Sequence, residues 1–577
     1  MIRNKTILTA LILLFVFTST AYSQKDIPKD YFRSPIDFPI KLSGTFGELR
    51  KDHFHSGIDI KTNGSVGKKI YSIADGYVCR IKVSSKGFGK AIYITHPNGY
   101  VSVYAHLNRF SKNIQKLVLE KQYKSEEYEV SIFPGKGEIS VKKGEIIAFS
   151  GNSGGSEGPH LHFEIREKKS EYPVNPLLYG IIIDDYFRPK IKTLKVYPMN
   201  KNSLVNNSDK PIEYKIGGWG EKHRLHGNDT IKLSGDITFG IETYDLHNDL
   251  ANRNGIYSVG LYVDSVLYFS YSIDKFSFNE SRYINSLIDF ADYIKNKRRI
   301  QKSFIEPNNK LSIYDSVLNS GVVNFIDANF HEITYVVKDA YNNTSKLNFT
   351  VKSNLPQSII KTENIKSDSS TEFCYDVENR FETENMIAVF PSNSFYSSFR
   401  FNFKTTEAKA NCISKIFHIH NEFFPVHKRF KLSIKLDCLP KKYRDKAVVV
   451  KLKEDEVLSS YVGEFKNGYI ETFPKSFGKY TVMLDTIPPE IKALNIHNNK
   501  KISGYKAIVI EVTDKLSGIN TYRGTLNGKW ILMEYDAKND KLTYFTDYHI
   551  KKGKNVFKLE ITDKSGNESS YKANVIF

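Results

Sequence analysis

The chain has 577 residues, of which 40% are hydrophobic and 13% aromatic, so it can bury several cores, about three to five domains. This composition excludes collagen, wholesale disorder and a disulfide scaffold, since the chain has only four cysteines. The net charge is +19, spread along the chain mainly as lysine. Such a charge is typical of a solvated basic surface, or of a protein attracted to an anionic polymer such as cell wall.

Residues 1–23 predict a secretory signal peptide. Basic residues come first, an apolar run follows them, and small residues stand at the expected cleavage point. These are Arg3 and Lys5, the run from Ile7 to Phe17, and Ala21 and Ser23. The alternative is an uncleaved membrane anchor, although the run is short for a bilayer. We expect an exported mature chain with no transmembrane segment, in the periplasm, the cell envelope or the medium. Export disfavours nucleic acid as a partner.

Residues 24–186 predict an antiparallel β domain. Short runs rich in β-branched and aromatic residues are separated by turn residues, and Asn98-Gly99 between two such runs is a strong hairpin signal. Residues 111–141 are rich in lysine and glutamate and are interpreted as an insertion between two β elements.

The remaining sequence predicts β-sandwich modules, because two stretches repeat in the same order. We expect one immunoglobulin-like module at 187–352 with an insertion near 283–311, a β-rich domain at 353–484, and a compact module at 485–577. The matching segments are Pro189 to Leu194 with Pro489 to Leu494, Ile241 to Asp245 with Ile510 to Asp514, and Val337 to Asn343 with Ile561 to Asn567.

Three separated motifs carry residues suited to metal chemistry. They are His55-Ser56-Gly57-Ile58-Asp59, then Tyr104-Ala105-His106-Leu107, then Gly158-Pro159-His160-Leu161-His162-Phe163-Glu164. On a strand, His160 and His162 point to the same face, so their imidazoles can share a cation. His55 and Asp59 add a nitrogen and an oxygen, and zinc accepts such a set. The surplus histidines are candidates for proton transfer.

The three motifs resemble those of the lysostaphin/LytM-type zinc endopeptidases, which cut peptide bonds in bacterial peptidoglycan. The H-x-x-x-D motif is matched by His55 and Asp59, the histidine in a Y-x-H-L context by His106, and the H-x-H motif by His160 and His162. The resemblance covers about 150 residues of the chain, counted from the matched motifs. The insertion after His106 departs from the family pattern and bears on cleft shape and substrate choice.

The resemblance implies that His55, Asp59 and His162 hold one zinc ion per chain. His106 and His160 are then the catalytic histidines beside the metal, and peptidoglycan peptides are the substrate. Which histidine performs which proton transfer stays open. Glu164 shares the face of His162 and either supports the site or pairs nearby, whereas His53 is interpreted as a rim residue.

Other functions remain as alternatives. One is a non-catalytic protein on the same fold that binds cell wall or regulates an amidase. Another is an adhesin or scaffold whose sandwich modules bind a wall or surface partner. A phosphocarrier with paired histidines is excluded by export. Cys412 and Cys438 lie in one region and are a candidate disulfide.

Overall fold

The computed structural model describes residues 30–227, 230–248, 252–355, 371–408 and 410–577. The predicted signal peptide, residues 1–23, lies outside the described residues. The prediction of a mainly β chain is confirmed, because strands dominate every part that is described. None of the described helices combines the length and the apolar character needed to cross a membrane.

The first unit is built on a nine-stranded antiparallel sheet. Its strand order is β1-β4-β13-β8-β7-β6-β10, with β11 beside β6 and β14 beside β13, and β5-β12-β9 and β2-β3 form two smaller sheets. The strands in chain order, β1 to β14, are Leu42–Gly44, Leu49–Arg50, His53–Phe54, Ile58–Lys61, Lys69–Tyr71, Gly76–Val83, Ala91–Thr95, Tyr100–Ala105, Leu107–Phe110, Val130–Ile132, Ser140–Val141, Ile146–Ser150, His160–Glu167 and Pro173–Val174.

One helix, α1, spans Lys112–Ser125 within the stretch expected to be an insertion. Ile114, Val118 and Gln122 recur every four residues and form its buried face, which is the spacing of one side of a helix. Glu126 ends the helix in the left-handed conformation, and its N–H donates to the carbonyl of Gln122. A short 3₁₀ turn, Pro176–Tyr179, then closes the first unit.

The second unit is a β-sandwich whose two sheets are continuous through β19. The order is β16-β19-β15-β17-β18-β27-β26-β21-β22-β24, and β20, β23 and β25 also pair with β19. Strands β15 to β27 are Lys190–Pro198, Leu204–Val205, Ile212–Trp219, Lys222–Leu225, Ile231–Leu246, Arg253–Asn254, Ser258–Val263, Val266–Ser272, Ile300–Lys302, Tyr314–Val317, Val323–Phe325, Phe330–Lys338 and Thr344–Ser353. Its helices are the 3₁₀ turns Ser281–Tyr283 and Asn319–Gly321, α2 Ile284–Leu287 and α3 Phe290–Asn296.

Two further units follow, each with two facing sheets. In the third, β29-β30-β34-β38-β37 and β32-β33-β39-β35-β36 enclose an aromatic core, and β28 pairs with β31. In the fourth, β40-β42-β46-β45 faces β41-β48-β47-β43-β44. Strands β28 to β39 are Thr371–Phe373, Asn379–Thr383, Met386–Phe390, Phe399–Phe401, Phe403–Thr406, Ile416–Ile419, Lys431–Lys435, Ala447–Lys453, Glu456–Val462, Glu464–Lys466, Tyr469–Thr472 and Gly478–Leu484, with a 3₁₀ turn at Lys441–Lys446. Strands β40 to β48 are Glu490–Ala493, Lys500–Lys501, Ala507–Thr513, Ile519–Leu526, Lys529–Trp530, Met533–Asp536, Lys541–Phe545, Lys554–Asp563 and Glu568–Ile576.

These sheets support the proposal of four units with boundaries near 186, 352 and 484, and β27 runs one residue past the second boundary. Cys412 and Cys438, the candidate pair, are both free thiols in the structure. Cys412 precedes β33 and Cys438 follows β34, and these strands belong to different sheets of the third unit.

Candidate metal centre

The nine-stranded sheet carries two of the predicted metal ligands on adjacent strands. Asp59 on β4 lies directly opposite His162 on β13. His55 precedes β4 by one tight turn, in which a Cβ on Gly57 would lie 2.3 Å from the carbonyl oxygen of Phe163. Only glycine lets the turn approach β13 so closely, and this approach brings His55 to the other two side chains.

The side chains of His55, Asp59 and His162 meet at one point. His55 Nε2 lies 3.0 Å from Asp59 Oδ1 and 3.0 Å from His162 Nδ1, and His162 Nδ1 lies 2.9 Å from Asp59 Oδ1. Ligand atoms bound to one ion at ~2.0–2.2 Å lie roughly 3.0–3.5 Å apart. The three atoms therefore have the spacing of a three-ligand metal site, and all three residues are buried.

The outer ring nitrogens indicate where the hydrogens lie. His55 Nδ1 donates to the carbonyl of Thr45 at 2.7 Å, and His162 Nε2 donates to Glu164 Oε1 at 3.0 Å. Since those oxygens only accept, each neutral ring turns a lone pair towards the centre. Two such lone pairs and a carboxylate oxygen repel one another unless a proton or a cation lies between them. The donor set therefore fits a divalent ion such as zinc.

The pKa values of these groups reflect their burial and their closeness to one another. Burial lowers the pKa of His55 to about 4. Burial also acts to lower the pKa of His162, but hydrogen bonds with Asp59 and Glu164 outweigh it and raise this pKa to about 9. Burial would raise the pKa of Asp59, yet the histidines around it hold the pKa well below its usual range. At neutral pH the metal-free centre thus carries one proton, on His162, which a metal ion must displace.

Two charged residues orient the ligands from outside. Glu164 is fully buried and accepts hydrogen bonds from His162, from the hydroxyl of Ser56 and from Arg166 Nε at 2.6 Å. Arg50 Nη2 donates to Asp59 Oδ2 at 2.5 Å, which leaves Oδ1 directed at the two imidazoles. Such partners fix ring orientation and carboxylate geometry in metal sites. The alternation of β13 already placed Glu164 on this face.

His106 and His160 flank the centre, with ring centroids 4.8 Å apart. His106 lies at the junction of β8 and β9 with a left-handed φ of 57°, which turns its ring out of the sheet. Its Nδ1 donates to the carbonyl of Ser153 at 2.9 Å, and His160 Nδ1 donates to the carbonyl of Gly158 at 2.8 Å. The Nε2 of His106 is therefore free to accept a proton, whereas His160 Nε2 lies 3.4 Å from Asp59 Oδ1. Burial and the neighbouring His162 and His160 lower the pKa of His106 to about 3.

Both histidines open onto a groove with charged walls. Arg50, Lys61 and Glu48 come from the first unit, whereas Arg299 is supplied by the second unit. Arg299 belongs to the predicted 283–311 insertion, so the groove is built by two units. Nothing in the three sequence motifs predicts that Arg299 reaches the groove.

Several other histidines lie apart from the centre. His53 is exposed and its Nδ1 donates to the carbonyl of Lys51 at 2.7 Å, as suits a rim residue. His418 and His420 lie in the third unit, where His420 packs against Phe399 and Phe401. Among the described residues, these histidines belong to none of the clusters that could hold a metal ion.

Comparison with known families locates the similarity in the same region. Residues 53–123 and 131–176 match Peptidase family M23, and residues 370–485 match a Zu5-like domain. The break in the first match, 124–130, begins in the last two residues of α1.

Curated relatives are similar over this region only. DD-carboxypeptidase/endopeptidase Mpg of Neisseria meningitidis serogroup B is 35% identical over 142 residues, 24% of this chain and 26% of the relative. Murein hydrolase activator NlpD of Escherichia coli is 37% identical over 139 residues, 24% of this chain and 29% of the relative. The matched region thus spans little more than a quarter of the length of these relatives.

A solved structure, the catalytic domain of the prophage-encoded M23 protein EnpA from Enterococcus faecalis, is 27% identical and is covered over 98% of its length. It covers 26% of this chain, with a TM-score of 0.20. The predicted resemblance to the lysostaphin/LytM type is confirmed by the family match. The first unit of the chain is a peptidase family M23 domain.

Proposed function

We propose that the chain is an exported zinc-dependent endopeptidase that hydrolyses peptide cross-links of bacterial peptidoglycan. The observation that carries this proposal is the set of three converging ligand atoms, flanked by two unligated imidazoles that open onto a groove. The names of the similar proteins support the substrate class, since one is an endopeptidase and another an activator of murein hydrolases.

His55, Asp59 and His162 hold the zinc ion. When bound there, zinc activates a water molecule and polarises the scissile carbonyl. The residues of the chain then move the protons. His106 or His160 accepts a proton at Nε2 and returns one to the leaving amine, because the Nδ1 of each ring is fixed by a backbone carbonyl.

The groove favours a peptide that carries carboxylates. Arg299 and Lys61 on its walls are not engaged by the metal ligands, whereas Arg50 is paired with Asp59. These two cations, on walls that also carry Glu48 and Glu157, can orient the carboxylates of a peptide by charge-assisted hydrogen bonds. The stem peptides of peptidoglycan are acidic and fit this chemistry.

The fourth unit braces the rim of the groove in this proposal. Lys538 Nζ donates to the carbonyl of Ser156 at 2.7 Å and to that of Asn152, and Lys90 pairs with Glu534 at 2.9 Å. Ser153 between those carbonyls is the residue that holds His106. The C-terminal units therefore support the rim, and their outer surfaces remain available to a wall or surface partner.

Mass analysis of muropeptides released from purified sacculi tests the proposal. We expect His162→Ala to lose both metal binding and the release of muropeptides. His106→Ala or His160→Ala should keep the metal, while the release of muropeptides slows ~10²–10⁴-fold. His53→Ala is the matched control, because His53 is exposed at the rim and should leave both unchanged.

The second candidate function is the activation of another hydrolase, because the similar protein NlpD is named a murein hydrolase activator. This second function predicts a different result in the same experiment. A zinc-loaded chain that releases no muropeptide alone, yet accelerates release by an added amidase, would contradict the endopeptidase proposal.

A further inference from the structure

The repeat between the two sandwich modules places aspartates at matching positions. Asp185 and Asp485 each lie four residues before the matching prolines, Asp245 matches Asp514, and Asp339 matches Asp563. In each module, aspartates from this set come together where the chain enters the sandwich. Asp185 and Asp245 are joined by His247 in the second unit, whereas the group in the fourth unit is Asp485, Asp514 and Asp563, and the ligand atoms in each group lie within 4.8 Å of one another.

The two copies differ in how the matching carboxylates are satisfied. Asp514 Oδ1 accepts from the backbone N–H groups of Leu516 and Gly518. Asp245 is only 1% exposed, and its Oδ1 has no hydrogen-bond partner. Burying a carboxylate oxygen without a partner is costly, so such a group marks a place where a ligand is expected.

The unpartnered oxygen belongs to a side chain that lines a small cavity. Asp185, His247 and Asp339 line that cavity together with Asp245. Within the described ranges, no lysine or arginine forms an ion pair with these aspartates, and His247 is the basic side chain beside Asp185 and Asp245. The carboxyl groups of this cavity therefore have no resident lysine or arginine to balance a negative charge.

The separations suit a shared ion better than hydrogen bonds. His247 Nε2 lies 3.7 Å from Asp185 Oδ2 and 3.7 Å from Asp245 Oδ2. A hydrogen bond requires a shorter distance, about 3.2 Å or less. Ligand atoms that surround one ion at ~2.1–2.3 Å lie roughly 3.0–3.8 Å apart.

We propose that Asp185, Asp245 and His247 bind a divalent transition-metal ion, separate from the M23 centre. The imidazole favours zinc over calcium and magnesium, which prefer oxygen alone, and the two carboxylates also suit manganese. In the fourth unit Leu516 replaces this imidazole, so the proposal concerns the second unit only. The ion neutralises two buried carboxylates and ties the linker at Asp185 to β19.

The site lies at the junction with the M23 domain. Thr45 and Phe46 of that domain line the same cavity. The hydroxyl of Thr45 accepts from the N–H of Gly255 at 2.9 Å, and its carbonyl accepts from His55 Nδ1. The proposed ion thus holds the surface against which a catalytic metal ligand is positioned.

Counting bound metal tests this site. The full chain carries His55→Ala and His162→Ala to remove the M23 centre, is stripped with a chelator, and receives Zn²⁺, Mn²⁺ or Ca²⁺ in separate titrations. Into this background we introduce Asp245→Asn or His247→Gln. The matched control is Asp184→Asn, since Asp184 is exposed beside Asp185.

We expect Asp245→Asn and His247→Gln each to bind one Zn²⁺ or Mn²⁺ fewer than the background, whereas Asp184→Asn binds the same number. At an ion concentration ~100 times the dissociation constant, the ion should raise the melting temperature of the background variant by about 5 °C. This rise should disappear when Asp245→Asn is added. Equal ion counts in the background and in both site variants would overturn the proposal. Binding of Ca²⁺ but of neither Zn²⁺ nor Mn²⁺ would overturn the role of His247.

Discussion

The most informative single substitution is Glu164→Gln, because it keeps the size of the side chain and removes only its charge. Glu164 is buried and binds both a metal ligand and Arg166, whose Nη2 lies 2.5 Å from Glu164 Oε2. Arg166 is itself buried, so the substitution leaves a guanidinium without its main counterion. It also replaces the anionic acceptor of His162 Nε2 with a neutral amide.

Two magnitudes follow from these contacts. Breaking a buried ion pair by removing one partner costs about 3–5 kcal/mol, and the cation–π contact of Arg166 with Phe278 at 4.7 Å offsets only part of it. Loss of a partner that orients a metal ligand lowers metal affinity about 10–100-fold, or ~1.4–2.7 kcal/mol. Glu164→Gln should therefore be both less stable and weaker in zinc binding.

Urea unfolding of the metal-free chain measures the first effect, and competition with a chromophoric chelator measures the second. Glu171→Gln is the matched control, because Glu171 is 69% exposed and lies 3.8 Å from the same arginine. An exposed pair contributes at most about 1 kcal/mol, so this control should resemble the unaltered chain in both assays. If Glu164→Gln matched Glu171→Gln in stability and zinc affinity, the assigned role of Glu164 would be wrong.

Three further outcomes are expected. Gly57→Ala should destabilise the chain by about 1–3 kcal/mol in urea unfolding and reduce its zinc content, because the new Cβ meets β13, whereas Gly158→Ala meets no atom within 4 Å and should be neutral. Zinc binding at pH 7 should release about one proton, since the pKa of His162 is about 9 and that of His55 about 4; calorimetry in buffers of different ionisation enthalpy should show this release vanish as the pH rises through about 9. Arg299→Gln should raise KM for muropeptide release with little change in kcat, and a fall in kcat alone would contradict a role in binding substrate.

The sequence predicted that His55, Asp59 and His162 come together, because these residues are concentrated in short motifs. Strand alternation placed His160 and His162 on one face, and it also placed Glu164 there. The structure brings His55, Asp59 and His162 to within 3.0 Å of one another at their ligand atoms. The mainly β architecture followed similarly from short apolar runs and the repeated segments.

Other parts of the site had no signal that a single sequence could give. The acceptors of the outer ring nitrogens of His55 and His106 are backbone carbonyls, of Thr45 and Ser153, and any residue type can supply a carbonyl. Arg299 reaches the groove from a different unit, and only tertiary packing determines that. Proximity in sequence says nothing of which sheet a residue adjoins, and the candidate pair Cys412 and Cys438 are two free thiols.

The positions of these acceptors explain why an M23 domain is joined so closely to sandwich units. Thr45, which fixes His55, exchanges hydrogen bonds with Gly255 of the second unit, and Ser153, which fixes His106, lies between two carbonyls held by Lys538 of the fourth. One proposed metal ligand and one proposed proton-transfer residue are therefore positioned by segments that the other units support. Displacement of either unit would change the orientation of an imidazole without altering any residue of the three motifs, so the sandwich units contribute to the geometry of the centre as well as to its surroundings.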